Sequence, residues 1–313
     1  MLMVRLNERP AMLSYLIRDI FRFLKIRKEQ VMQIGISNFP TDYSMRATSL
    51  GRALEERGFE SLWVVEHTHI PASRRTPYPL ADELPSIYWE AFEPFTFLAQ
   101  VAAVTEKLRI GTGVCLVPEH HPITLAKRAA TLDSLSDGRF LFGVGAGWNA
   151  EEMENHGVAY KDRWKVLREH VLAMKACWTE KDAEFHGEFV DFDPVWVEPY
   201  PVSKPHPPIY IGATSTWAMD RIAEYAEGWF PVHVPEFDER LALLAECCEK
   251  RGRSIDDINI SLLTMVESQD QMAELAAKGV DRIVLSLPTG NEAESLKVLD
   301  GYSNIVEWAA TLS

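Results

Sequence analysis

Residues 60–69 read Glu-Ser-Leu-Trp-Val-Val-Glu-His-Thr-His, and the change of character halfway along this stretch decides the fold. Leu62, Trp63, Val64 and Val65 form an unbroken apolar run with β-branched and aromatic members, which predicts a strand buried on both faces. Strands of that kind belong to parallel sheets covered by helices. Glu66, His67 and His69 then put ionisable groups where the strand runs out. In parallel α/β folds, ligands bind and chemistry is done at the carboxyl ends of strands.

Working outward from this strand, the pattern is strand, helix, strand, helix. Strands are predicted at 32–36, 61–65, 108–114, 139–144, 209–212, 228–232, 258–266 and 283–287. Helices are predicted at 45–57, 93–104, 122–135, 151–155 with 161–178, 217–225, 237–250, 271–277 and 293–312. Eight strand–helix units make a (β/α)8 TIM barrel of the α/β class. Two insertions interrupt it. A polar, Pro-rich loop at 68–90 follows the second strand, and a loop of that length is more often a lid than a connector. A hairpin at 185–198 follows the fourth strand, with turn signals at Gly187 and Asp193-Pro194. No linker breaks the chain after Met32, so 31–313 reads as one domain.

The first thirty residues differ. Seven basic residues against three acidic ones give this segment a balance of +4 in a chain whose net charge is −14. Leu13, Leu16, Ile17, Ile20, Phe21 and Leu24 recur at helical spacing, so 1–30 is expected to be an amphipathic helical extension. It is a membrane-surface helix, an arm on a neighbouring subunit, or an appendage upstream of Met32. Charges interrupt any signal-peptide core, and no stretch has the ~18 apolar residues of a spanning helix. The acidic balance argues against a nucleic-acid partner. Cys115, Cys177, Cys247 and Cys248 contain no Cys-x-x-Cys pair, which favours a reducing, cytoplasmic setting.

A histidine at a strand's top can act as acid or base near neutral pH, tuned by a neighbouring carboxylate. His67 and Glu66 are therefore the catalytic candidates, against the plainer reading of a structural histidine bonded to a loop carbonyl. His-x-His with His120, His121 and His233 also permits a metal site, but no matching Lys, Asp and His set falls at the later strand ends, so no metal is assigned. Gly111, Thr112, Gly113 and Val114 end the third strand, and glycines there let a flat ligand approach the backbone or simply relieve packing. Gly145 and Gly147 clear space while Trp148 and Asn149 line the wall; as a dinucleotide loop this motif is weak. Gly212, Ala213, Thr214 and Ser215 lead into a helix, where backbone N–H groups and two hydroxyls make an anion site or a plain N-cap. Arg74 and Arg75 in the loop either grip an anion or sit in solvent. Tyr88, Trp89, Phe92, Phe95, Trp148 and Trp196 suggest an apolar pocket.

Together these segments resemble the bacterial-luciferase-like superfamily of (β/α)8 flavin and deazaflavin enzymes, in particular its coenzyme-F420-dependent oxidoreductases. The resemblance runs from Met32 almost to the end. It is carried by Gly-Phe-Glu-Ser-Leu-Trp at 58–63, Leu-Arg-Ile-Gly-Thr-Gly at 108–113, Ala-Ala-Thr-Leu-Asp-Ser-Leu-Ser-Asp-Gly-Arg-Phe at 129–140, and Gly-Val-Gly-Ala-Gly-Trp at 143–148. It implies a cofactor ring over the strand tops beside His67 and Glu66, although the family's acid–His pair usually begins with Asp. It implies a non-prolyl cis peptide at Gly113-Val114 or one bond either side, and a phosphate cradle at Gly212, Ala213, Thr214 and Ser215. Trp148 stands where the sugar-phosphate dehydrogenase branch has a proton-donating glutamate, so that reaction is not carried over. The expected activity is hydride transfer between coenzyme F420 and a small organic substrate, in a homodimer. The alternatives are an FMN-dependent monooxygenase using reduced flavin and oxygen, and a non-catalytic flavin-binding protein.

Overall fold

The first strand, β1 (Gln33–Asn38), pairs in parallel with β2 (Ser61–Val64) on one side and with the last strand of the chain on the other, and that second pairing closes the sheet. The computed structural model describes residues 31–312, residue 233 excepted; the 1–30 extension lies outside the described residues. After β2 come β3 (Arg109–Thr112) with its continuation β4 (Cys115–Leu116), then β5 (Phe140–Gly145). The antiparallel hairpin β6 (Ala183–His186) and β7 (Asp191–Val195) stands apart as the second insertion. β8 (Ile209–Ile211), β9 (Gly228–Trp229), β10 (Asn259–Leu263) and β11 (Arg282–Leu287) complete eight parallel barrel positions. The chain thus forms the closed (β/α)8 barrel that its alternating pattern predicts.

Period-two alternation sorts the strand residues into two cores. Outward-facing Leu62, Val64, Ile110, Phe140, Phe142, Val144 and Ile209 pack under the helices. Inward-facing Trp63, Leu141, Tyr210, Phe230 and Val284 fill the barrel, with Val114 and Leu263 against them. Trp63 lies 4.6 Å from the Phe230 ring and 5.3 Å from that of Tyr210. The interior is therefore packed, not a channel, and a ligand can be met only at a rim. The amino-terminal rim is closed by Arg282, 1% exposed. Its guanidinium donates to both oxygens of Glu60 at 2.7 and 2.8 Å, to Ser261 Oγ at 2.6 Å and to Gln33 Oε1 at 2.7 Å.

Three elements differ from expectation. Strand 108–114 is broken into β3 and β4 around Gly113 and Val114. Strand 228–232 shrinks to β9 with an isolated Val232–Leu263 bridge, because Pro231 between them has no N–H to give the ladder. The helix expected at 293–312 is two, Glu292–Gly301 and Ser303–Thr311, parted beside the poor helix former Gly301, where Tyr302 Oη turns to donate to Ser286 O. All four cysteines are buried free thiols. Among the described residues, no helix is long and apolar enough to cross a membrane.

Candidate active site

Beyond β2, Glu66 and His67 are consecutive in the chain, yet their side chains meet different partners. Glu66 is sealed inside: its Oε2 accepts from Leu116 N at 2.6 Å, and both oxygens lie 3.0–3.1 Å from His120 Nε2. His67 instead places Nδ1 2.7 Å from Glu152 Oε2. The acid that orients His67 is thus Glu152, on the Ala150–Asn155 helix after β5, and not Glu66 as the adjacency in sequence suggested. Nε2 of His67 has no hydrogen-bond partner among the described residues.

The loop after β2 folds back over this imidazole. The Tyr88 ring lies 5.1 Å from that of His67, and Trp148 lies 5.9 Å away. Tyr78 and Tyr88 share a 2.9 Å hydroxyl hydrogen bond, and Phe39 backs Tyr88 at 4.9 Å. The loop is latched by Glu151, which accepts from Thr76 Oγ1 at 2.5 Å and Arg75 Nε at 3.0 Å. These bonds, the Thr76 hydroxyl foremost, hold the Glu151 carboxyl down to about 2. Arg75 is 78% exposed with its Nε on Glu151, and Arg74 lies over the Trp148 ring at 5.8 Å. Trp196 is 77% exposed near the hairpin, and Phe95 packs on Phe140 and Phe142 in the outer core; neither belongs to this aromatic cap.

The glycine-rich turns are placed less simply than expected. Gly111 backs Trp63, whose ring carbon would lie 2.8 Å from an added Cβ. Thr112 is fully buried and donates to Gly143 O at 2.6 Å. Gly111 and Thr112 are therefore enclosed by protein and offer no ligand surface, because both lie below the rim. The Gly113-Val114 peptide is cis. Gly145 and Gly212 flank the Val114 side chain, and a Cβ at either would lie 2.6 or 2.5 Å from its methyls; these glycines make room for Val114. Gly147, at φ 72°, turns the chain so that Trp148 reaches the lid. Gly212 and Ala213 are half-buried, while Thr214 and Ser215 are exposed. Ser215 caps the Thr216–Tyr225 helix without a side-chain cap bond, and the first turn contains no acid. Its hydroxyls and N–H groups fit an anion.

A second layer went unnoticed in the sequence. Glu119 and Glu152 are buried with one oxygen each lacking a partner, Glu119 Oε2 and Glu152 Oε1. Burial, then the charges of Glu152 and Glu66, push the Glu119 carboxyl up to about 9, so it is a neutral acid at pH 7. Glu66 goes the other way: burial opposes its charge, but His120 and the Leu116 N–H outweigh that and hold it below the usual range. Cys115 joins Glu66 and His120 with one candidate ligand atom each within 4.8 Å. Both Glu66 oxygens already serve as acceptors, and burial followed by the Glu66 charge keeps the Cys115 thiol protonated, so hydrogen bonding accounts for the trio. His121 is exposed, and His233 is outside the described residues.

A filled barrel acts at its carboxyl rim, and here that rim presents an oriented imidazole under an aromatic lid. Residues 33–306 match the luciferase-like monooxygenase family, and the chain belongs to it. An uncharacterised protein of Mycobacterium tuberculosis is 39% identical over 264 residues, which cover 82% of this chain and 92% of that one. The oxygenase component of a flavin-dependent trigonelline monooxygenase from Acinetobacter baylyi is 32% identical over 193 residues, 59% of this chain and 53% of that protein. The fold is similar to that of an F420-dependent secondary alcohol dehydrogenase solved with an F420–acetone adduct: TM-score 0.70 at 15% identity, covering 89% of this chain and 99% of the other.

Proposed function

We propose that this oxidoreductase transfers a hydride between coenzyme F420 and a small organic substrate, as a homodimer, with His67 taking or giving the accompanying proton. The observation that carries this reading is His67 itself: Nδ1 is fixed by buried Glu152, Nε2 is unpartnered, and the Tyr88 and Trp148 rings cover it. The deazaflavin ring supplies the hydride chemistry when bound. The chain's part is to hold its phosphate on the N–H groups and hydroxyls of Thr214 and Ser215, wall its face with Val114 and Trp148, and keep water from the reacting atoms. Gly113, Gly145, Gly147, Gly212 and Ala213 shape that cradle. Trp148 in place of an acid leaves His67 as the rim's proton-handling group and favours an apolar substrate over a sugar phosphate.

A second reading, an FMN-dependent monooxygenase, draws support from the flavin-dependent relative. The phosphate cradle serves both cofactors. Titration of tryptophan emission with F420 and with FMN decides between them: micromolar quenching by F420, with oxygen-indifferent turnover, is expected. Quenching by FMN alone with oxygen uptake selects the monooxygenase, and tight binding without turnover across a substrate panel selects a flavin carrier. Quenching by neither removes the cofactor claim.

A further inference from the structure

The lid that shields His67 also raises a supply problem. The His67 side chain is only 6% exposed, and Glu152, on its Nδ1, is 1% exposed. Tyr88 and Trp148 leave so little of the ring open that exchange with solvent across the lid is restricted. The opposite flank offers another way out. Glu152 holds His67 with Oε2, and its Oε1 is buried without a donor; Glu119 Oε2 is likewise buried without a donor. Two such oxygens are costly to leave bare, and the Glu152 charge is felt at Glu119, which puts both carboxyls in one buried neighbourhood. Glu119 Oε2 lies 3.5 Å from His156 Nε2, which is also 2.8 Å from Thr68 Oγ1. The His156 side chain is 27% exposed. It lines, with Glu119, His120, His170, Phe189 and Phe192, a cleft of about 370 Å³ outside the barrel wall.

We propose that Glu152 and Glu119 form a proton line joining His67 to this outer cleft at His156, so that the rim histidine exchanges protons with solvent behind the site and not through the lid. Each transfer balances by exchange: His156 passes a proton from the cleft to Glu119, Glu119 passes its own to Glu152, and Glu152 passes one to Nδ1 of His67. Only O–H and N–H bonds break and form, and the line runs equally in reverse. Glu119 suits the middle position because it holds its proton at neutral pH. The groups facing it are Glu152, Glu66 and His156. Glu152 and Glu119 would be positioning and relay residues; neither need touch substrate.

The inference rests on the role given to His67, yet its test needs neither cofactor nor substrate. With ¹⁵N-labelled histidine in the full chain, the solvent exchange rate of the His67 ring proton is measured by NMR. Glu119→Gln keeps the shape and neutrality of the acid but cannot pass a proton, and it should slow exchange by about tenfold or more. His156→Gln, at a part-exposed position, should slow it similarly and guards against a folding defect in the first variant. Formate added to Glu119→Ala should restore the rate by entering from the cleft. Unchanged exchange in both Gln variants, with acceleration instead in Tyr88→Ala, would place the route through the lid and overturn the proposal. The activity of His67→Ala reports separately on the function assigned to His67.

Discussion

β2 is flanked by two acids, half-buried Glu60 before it and buried Glu66 beyond it, and the two ends are built on opposite principles. At the amino end, Glu60 meets Arg282 through two hydrogen bonds, and Ser261 and Gln33 take further guanidinium donors. Burial opposes the charge on Glu60, but Arg282 outweighs it and keeps the carboxylate ionised. At the carboxyl end, the ion-pair partners of Glu66, Glu119 and Glu152 are histidines and not arginines, and two carboxyl oxygens lack donors. A fully compensated buried pair specifies structure, whereas one left short of donors and cations keeps protons in play. The two ends of one strand thus differ in how fully their acids are compensated.

The sharpest way to break this comparison is at the amino end. Arg282→Met leaves half-buried Glu60 with only the part-exposed Arg109, 3.5 Å away, and should cost about 3 kcal/mol of unfolding free energy in a urea melt, the low end of what breaking a buried pair costs. Pairing it with Glu60→Gln should recover much of that loss; an additive double variant would mean that the two residues act separately. At the carboxyl end the order of effects inverts. His67→Ala should slow turnover by ~10²-fold or more while leaving cofactor binding nearly unchanged, with some loss of stability because Glu152 Oε2 loses its partner. A loss confined to stability would move His67 to the structural side of the comparison.

A third test sharpens it through pH. An unfolded Glu119 titrates near its ordinary 4.5, and the folded one near 9. Between those values the folded chain keeps a proton that the unfolded chain has lost, so stability from this group declines as pH rises from about 4.5 to about 9 and then levels. Glu66 runs the other way: its value is lowered on folding, and its contribution is lost as pH falls through the folded value. Glu119→Gln should therefore flatten the alkaline decline in denaturant midpoint between pH 5 and 9 and leave the acid side intact. A parallel decline in both proteins would show that Glu119 is ionised in the fold.

The barrel was legible because its signals are local and repeated. Pro122 opens the Pro122–Leu135 helix, and the apolar spacing of Phe237–Lys250 fixes that helix to the residue. His67 was legible too, as an ionisable residue at the end of an apolar run. Its partner was not, because Glu152 lies 85 residues away and reaches His67 only once the barrel closes. The glycines announced close approach without saying to what. Gly145 and Gly212 yield to Val114 from the next barrel strand and the one after it, contacts that exist only in the closed sheet. Glu119 was hidden for a similar reason: nothing local marks an acid that stays protonated, since burial beside Glu152 and Glu66 is a property of the packed rim.

Co-crystallisation with F420 tests the central claim most directly. The account predicts electron density for the ring against Val114 and Trp148, with its reactive edge beside Nε2 of His67 and its phosphate on Thr214 and Ser215. A ring bound elsewhere, or one that leaves His67 turned to solvent with its bond to Glu152 broken, would contradict it.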